Sequence, residues 1–174
     1  MARLEMGSAE LLCATELLPR SSWTSAGPSS VEFLFRPGAG MQARPLARIA
    51  SGGEISRVML AVHVALGERD GASTLVFDEV DAGVGGATAV ALAGVLADLA
   101  KTHQVIAVTH LAQVAVAADT HYVVAKTDGD LPRTELYEVQ GAQREAEVAR
   151  MLSGDATETA VAHAREMLSS AHRG

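Results

Sequence analysis

Residues 73–110, STLVFDEVDAGVGGATAVALAGVLADLAKTHQVIAVTH, decide the fold class. An apolar run, TLVF, leads into the acidic pair Asp78 and Glu79 within a strand expected over 73–80; a long small-residue segment follows; a second apolar run, VIAV, ends in Thr109 and His110. Short apolar runs bounded by polar residues suit strands, whereas the middle segment has the length and spacing of a helix. Strand, helix, strand in that order predicts parallel strands joined by a helical crossover, hence an α/β fold with a mostly parallel sheet and flanking helices. Neither apolar run alternates with polar residues, so both faces of that sheet are expected to be covered.

Outward from this unit, RIASGGEISRVMLAVHVAL at residues 48–66 opens a helix expected over about 53–68. Ser51, with Glu54 following at the spacing of a capping box, marks its start. Between them stand Gly52 and Gly53, although glycine costs about 1 kcal/mol against alanine inside a helix. Two explanations stay open: ordinary capping, or an anion such as phosphate drawn to bare N–H groups at the positive end of the helix dipole. Further upstream, VEFLF at 31–35 reads as a strand between Gly-, Pro- and Ser-rich loops at 21–30 and 36–45. ELLCATELL at 10–18 fits a strand or a short helix, and with VEFLF it suits a small sheet beside the main core. Downstream, the pattern predicts a short helix over 111–119, strands at 121–127 and 133–139 around a turn at 128–132, and helices within 143–153 and 157–170.

Composition narrows the class. The chain has 174 residues, 48% apolar and 20% charged, enough to bury a core. Aromatics are only 3%, so the core must be aliphatic, which favours helix-on-sheet layers. No apolar stretch reaches the roughly 20 residues of a membrane span, and the N-terminus lacks the basic-then-apolar order of a secretion signal, so a cytoplasmic location with no membrane partner is expected. The single cysteine, Cys13, excludes an intrachain disulfide and is expected to be a buried thiol. A net charge of −7, with 14 scattered basic residues, argues against this segment being a nucleic-acid surface by itself.

Three candidates carry chemistry. Asp78 and Glu79 stand at the C-terminal end of a parallel strand, where open α/β sheets bind ligands. One carboxylate is suited to a hydrated Mg²⁺ beside phosphate oxygens and its neighbour to the attacking water; the alternative is a solvated strand end. His110 ends the second strand and is suited to a terminal phosphate or to that water, the alternative being a structural histidine. Arg57 is near enough to the glycines to reach a phosphate or a DNA backbone, unless it is an exposed helical arginine. The remaining histidines lack zinc-ligand spacing, no G-x-S-x-G elbow exists, and the phosphate-loop pattern G-x-x-x-x-G-K-[ST] is absent.

In order, Ser-Gly-Gly-Glu at a helix start, strand-Asp-Glu and strand-His resemble the C-terminal half of an ATP-binding-cassette ATPase head, without its phosphate loop. Within that superfamily, IASGGEISRVMLA, LVFDEVDAGVGG, VTHLAQVA, EVARMLSG and AHAREML resemble the RecN family of bacterial DNA-repair proteins, relatives of the SMC ATPases, from about Arg44 to Ser169. The resemblance implies that Ser51, Gly52, Gly53 and Glu54 form the signature motif, contacting ATP held by the opposing head of a homodimer. It implies that Asp78 serves Mg²⁺, that Glu79 and His110 are catalytic, and that Asp81, Ala82 and Gly83 begin an interface loop; Gly85 replaces a common aspartate there. It further implies a peripheral region at 1–45 after a coiled coil, a head lobe at 46–174, and a partner N-terminal lobe carrying the Walker A loop, without which ATP turnover should be negligible. The implied setting is double-strand-break repair, with DNA engaged by the full assembly. Two rivals remain: a transporter's nucleotide-binding subunit, disfavoured because DEVDAG lacks the proline usual after that acidic pair, and a non-catalytic dimerisation module.

Overall fold

The computed structural model describes residues 6–49, 51–127 and 133–171. The expected turn at 128–132 lies outside the described residues. Strands β1 (Glu10–Leu17) and β2 (Ser29–Arg36) pair antiparallel, and β3 (Arg44–Pro45) adds a short edge to β2. The upstream ambiguity therefore resolves to strand. Leu11 opposite Phe35, Cys13 opposite Phe33 and Thr15 opposite Val31 share one face. At its base Phe35 is buried with Ala9 and with Val58 of the following helix; beyond that contact Phe33, Val31 and Leu17 are exposed. Cys13 lies on this outer part and is exposed, not buried, because the hairpin extends past the core that would cover it.

Helix α1 (Gly52–Leu66) leads to β4 (Thr74–Phe77), α2 (Gly86–Ala100) and β5 (Gln104–Ala107). Strands β4 and β5 are parallel, from Thr74 opposite Gln104 to Phe77 opposite Ala107, and α2 is the crossover that the sequence predicts. Helix α2 buries Ala89, Leu92, Ala93, Leu96 and Leu99, the spacing of one wide helical face, against Leu75, Phe77 and Val80. Leu60 of α1 closes this core.

Helix α3 (Ala112–Ala115) follows, then the antiparallel hairpin β6 (Tyr122–Thr127) and β7 (Arg133–Glu138), and the helices α4 (Gly141–Ser153) and α5 (Glu158–Ala171). Ala112, Val116, Val148, Ala149 and Ala164 make a second core among α3, α4 and α5. The α/β class is the one expected, but among the described residues parallel pairing is confined to β4 and β5, and the other sheets are antiparallel. One expectation fails. Leu75 and Phe77 are buried, yet Val76, Ile106 and Val108 are 65%, 48% and 56% exposed. The sequence reads as a sheet covered on both faces, whereas one apolar face of β4 and β5 stands open in this chain.

Candidate functional site

Ser51 is extended and caps α1: its hydroxyl accepts from the Glu54 N–H at 3.5 Å, and its carbonyl accepts from Ile55 N–H at 3.2 Å. The cap explains the serine but not the glycines. What comes close to them is the chain's own loop after β4. A Cβ on Gly53 would stand 2.7 Å from Ala82 Cβ and 3.0 Å from the Glu79 carbonyl, and neither can move without shifting backbone. A Cβ on Gly52 would overlap only the carboxylate tip of Glu79, a flexible neighbour. Gly53 is buried and Gly52 exposed, so the pair divides. Gly53 is required by internal packing, and Gly52 leaves bare backbone at the surface.

That loop begins where β4 stops, shorter than expected, because Glu79 takes φ 55° and turns the chain. A non-glycine residue there costs on the order of 1–2 kcal/mol, and such outliers gather at functional positions because surrounding contacts hold them. Here the contacts are visible. Ser56 Oγ donates to the Asp78 carbonyl at 2.6 Å, and Arg57 Nη1 donates to the carbonyls of Ala82 at 2.8 Å and Val80 at 3.3 Å. Arg57 is thus not a free surface arginine: through Nη1 it ties α1 to the loop. Two reverse turns, Ala82 N–H to Glu79 O and Val84 N–H to Asp81 O, each 3.0 Å, complete it.

Asp78 and Glu79 are both exposed at this edge. Asp81 is buried, only 2% exposed, and faces the end of β5. Its Oδ2 accepts from Thr109 Oγ1 and from the His110 N–H at 3.0 Å, and lies 3.1 Å from His110 Nδ1. His110 keeps 70% of its side chain exposed. The structure therefore brings the α1 start, Asp78, Glu79, Asp81, Ala82 and His110 to one edge, while Gly83 turns the following backbone at φ 72°. The sequence reading missed Ser56, Thr109 and the inward role of Asp81. Thr109, a polar residue ahead of His110 at the end of an apolar strand, was the available signal.

Among the described residues no group of three or more His, Cys, Asp or Glu gathers into a metal site. Asp78 alone suits a Mg²⁺ that brings phosphate oxygens with it, since that ion is commonly held by one or two carboxylates plus substrate phosphates. A separate cavity of about 460 Å³, lined by Val123, Tyr137, Glu147 and Arg150 among others, shares no residue with this edge. No described helix is long and apolar enough to cross a membrane.

No protein-family model matches the chain. It is 50% identical over 144 residues to the DNA repair protein RecN of Treponema pallidum, covering 82% of this chain and 25% of that protein. It is 50% identical over 148 residues to RecN of Streptomyces coelicolor, covering 84% and 26% respectively. The chain thus spans about a quarter of the length of these curated relatives. Among solved structures, the Smc head domain with a coiled coil and joint from Pyrococcus yayanosii superposes with TM-score 0.57 at 21% identity, covering 80% of this chain and 25% of that one. The Smc head domain of Pyrococcus furiosus, solved with the C-terminal domain of ScpA, gives TM-score 0.54 at 22% identity, covering 79% and 32%. At these identities the structural likeness is one of fold, that of an Smc head domain. With half its aligned residues shared with RecN proteins over most of its length, the chain belongs to the RecN family and corresponds to the C-terminal part of those proteins.

Proposed function

We propose that this chain is the C-terminal lobe of an SMC-like ATPase head that acts in bacterial DNA double-strand-break repair and recombination, in the cytoplasm at the nucleoid. The observation that carries the reading is the common edge shared by exposed Asp78, exposed Glu79 and His110, beside the exposed backbone of Gly52. On it, Asp78 holds Mg²⁺ through water, Glu79 accepts a proton from the attacking water, and His110 directs its free ring nitrogen at the reacting phosphate or that water. Ser51, Gly52, Gly53 and Glu54 form the start of α1 that grips nucleotide held by a second head, with Asp81, Ala82 and Gly83 leading the loop toward it. Gly53, being buried, contributes the shape of that helix start and leaves Gly52 and Ser51 as the presenting surface. When bound, ATP supplies the phosphoanhydride that is cleaved and the negative charge that two heads share.

The open face of β4 and β5 supports a further part of the proposal. Residues 46–174 are one lobe, with 1–45 peripheral to it, and an N-terminal lobe carrying Walker A covers Val76, Ile106 and Val108. Apolar side chains at these exposures are unusual on a parallel sheet, whose faces are ordinarily both packed. DNA engages the full assembly, since a chain of net charge −7 offers little phosphate attraction of its own. The test is Glu79→Gln in the complete ATPase. Nucleotide-bound head dimers are expected to persist while hydrolysis slows by roughly 10²–10⁴-fold, the range of a general base. Unchanged turnover would remove Glu79 from the chemistry and leave a dimerisation module as the better reading.

A further inference from the structure

The burial of the Asp81 carboxylate is not explained by the resemblance. The residue was expected in an interface loop facing a partner, yet it is 2% exposed and turned toward its own β5. Burying a carboxylate is costly unless donors replace its water. Here one oxygen, Oδ2, accepts hydrogen bonds from Thr109 Oγ1 and the His110 backbone N–H, and His110 Nδ1 lies 3.1 Å from it. Thr109 Oγ1 also accepts from Leu111 N–H at 3.0 Å, which joins the same contact to the start of α3. The Nδ1 side of the His110 ring therefore lies against Asp81 while most of the ring remains in solvent.

We infer that Asp81 is a positioning residue for His110: its buried Oδ2 takes the Nδ1–H of the imidazole and turns Nε2 outward, toward the edge occupied by Asp78 and Glu79. Which ring nitrogen carries the proton is set by the hydrogen bond that the other makes. A neutral His110 held this way keeps its proton on Nδ1 and offers a lone pair at Nε2 to a water. A protonated ring donates from both nitrogens, inward to Asp81 and outward to an anion. In both states the carboxylate already stands 3.1 Å from Nδ1 before any ligand arrives. The catalytic part of the inference rests on the reading of this edge as an ATPase site; the geometric part does not.

The experiment has two arms. In the first, ¹⁵N NMR of the His110 ring in this chain, without nucleotide, is expected to show the neutral ring protonated on Nδ1. Asp81→Asn should shift protons to Nε2, whereas Thr109→Val, which removes a donor and keeps the carboxylate, should leave the tautomer as it was and so controls for general loosening. A wild-type ring protonated on Nε2, or a tautomer indifferent to Asp81→Asn, overturns the inference. In the second, Asp81→Asn in the complete ATPase is expected to lower kcat by roughly 10- to 100-fold, less than the roughly 10²–10⁴-fold of a direct acid–base group because Asp81 acts through His110, with KM for ATP changed less than about twofold. In a His110→Ala background the same substitution should add nothing, because both residues act as one unit. Losses that multiply overturn the inference and leave the ATPase reading intact. The expected tautomer together with turnover indifferent to His110→Ala overturns the ATPase reading and its catalytic corollary, while the Asp81–His110 contact stands.

Discussion

The C-terminal helical cluster is built from charge-rich amphipathic helices and closes on itself, whereas the more apolar β4–β5 pair stays open on one face. In the cluster, Val148, Ala149 and Ala164 are fully buried, and Arg144 reaches from α4 to donate to the carbonyls of Ala115, Ala118 and Asp119, satisfying the C-terminal end of α3. Glu145 and Arg165 join α4 to α5 through two hydrogen bonds of 3.0 and 2.7 Å. At the β4–β5 edge, by contrast, Val76, Ile106 and Val108 face outward and Glu79 holds a left-handed backbone angle. The difference separates residues that stabilise this chain from residues that its own packing leaves unused. Strain and bare apolar surface sit on the second side.

The largest effect should come from contrasting the two faces of the parallel pair. Leu92→Ala, on the packed side and 1% exposed, is expected to lower unfolding stability by about 3 kcal/mol through lost burial and a residual cavity. Val76→Thr, on the open side, should change stability of this chain by less than about 0.5 kcal/mol. Urea denaturation of both variants decides it; a comparable loss at Val76 would mean that the open face is covered in solution.

The two glycines provide the next contrast. Gly53→Ala should cost about 1–3 kcal/mol, since the added methyl overlaps Ala82 Cβ and the Glu79 carbonyl, as in an overpacked core. Gly52→Ala meets only a side-chain tip that can swing aside, and a small gain in helix propensity offsets the contact. Thermal melts should therefore separate neighbouring residues of one motif, while ATPase assays of the complete protein should find both impaired. Retained activity in Gly52→Ala would leave the motif with a packing role only.

A smaller effect belongs to the closed cluster. Burial, and then the charge of Arg144, hold His121 below the usual histidine range, and its Nδ1 is buried without a hydrogen-bond partner. Between the depressed folded-state pKa and the unfolded value of 6.5 the unfolded chain binds more protons, so stability should rise with pH through that window and level off above it. His121→Gln should flatten this slope in melts recorded between pH 5 and 7 (about the span in which an unperturbed histidine titrates). Smallest of all, Arg165→Ala should leave the melting temperature nearly unchanged, because the guanidinium end of the pair is mostly in solvent, and salt should erase any difference.

Much of this was legible in order along the chain. The strand, crossover helix and strand of 73–110 follow from apolar run lengths, and the Ser51 cap follows from a local spacing. Element ends were less legible: β4 was expected to run to Val80 and stops at Phe77, because the reversal at Glu79 depends on Ser56 and Arg57 of another helix. Asp81 read as a surface loop residue for the same reason, since its donors lie at the end of a different strand.

By itself, then, the sequence determined the identities and order of the chemical groups, the helices whose apolar spacing is local, and the family likeness that follows from that order. Only the tertiary structure decided which glycine is needed for packing, which acidic residue turns inward to hold His110, and which face of β4 and β5 is left uncovered. Those outcomes depend on contacts between residues far apart in the chain, and neither spacing nor composition encodes such contacts until the elements are packed.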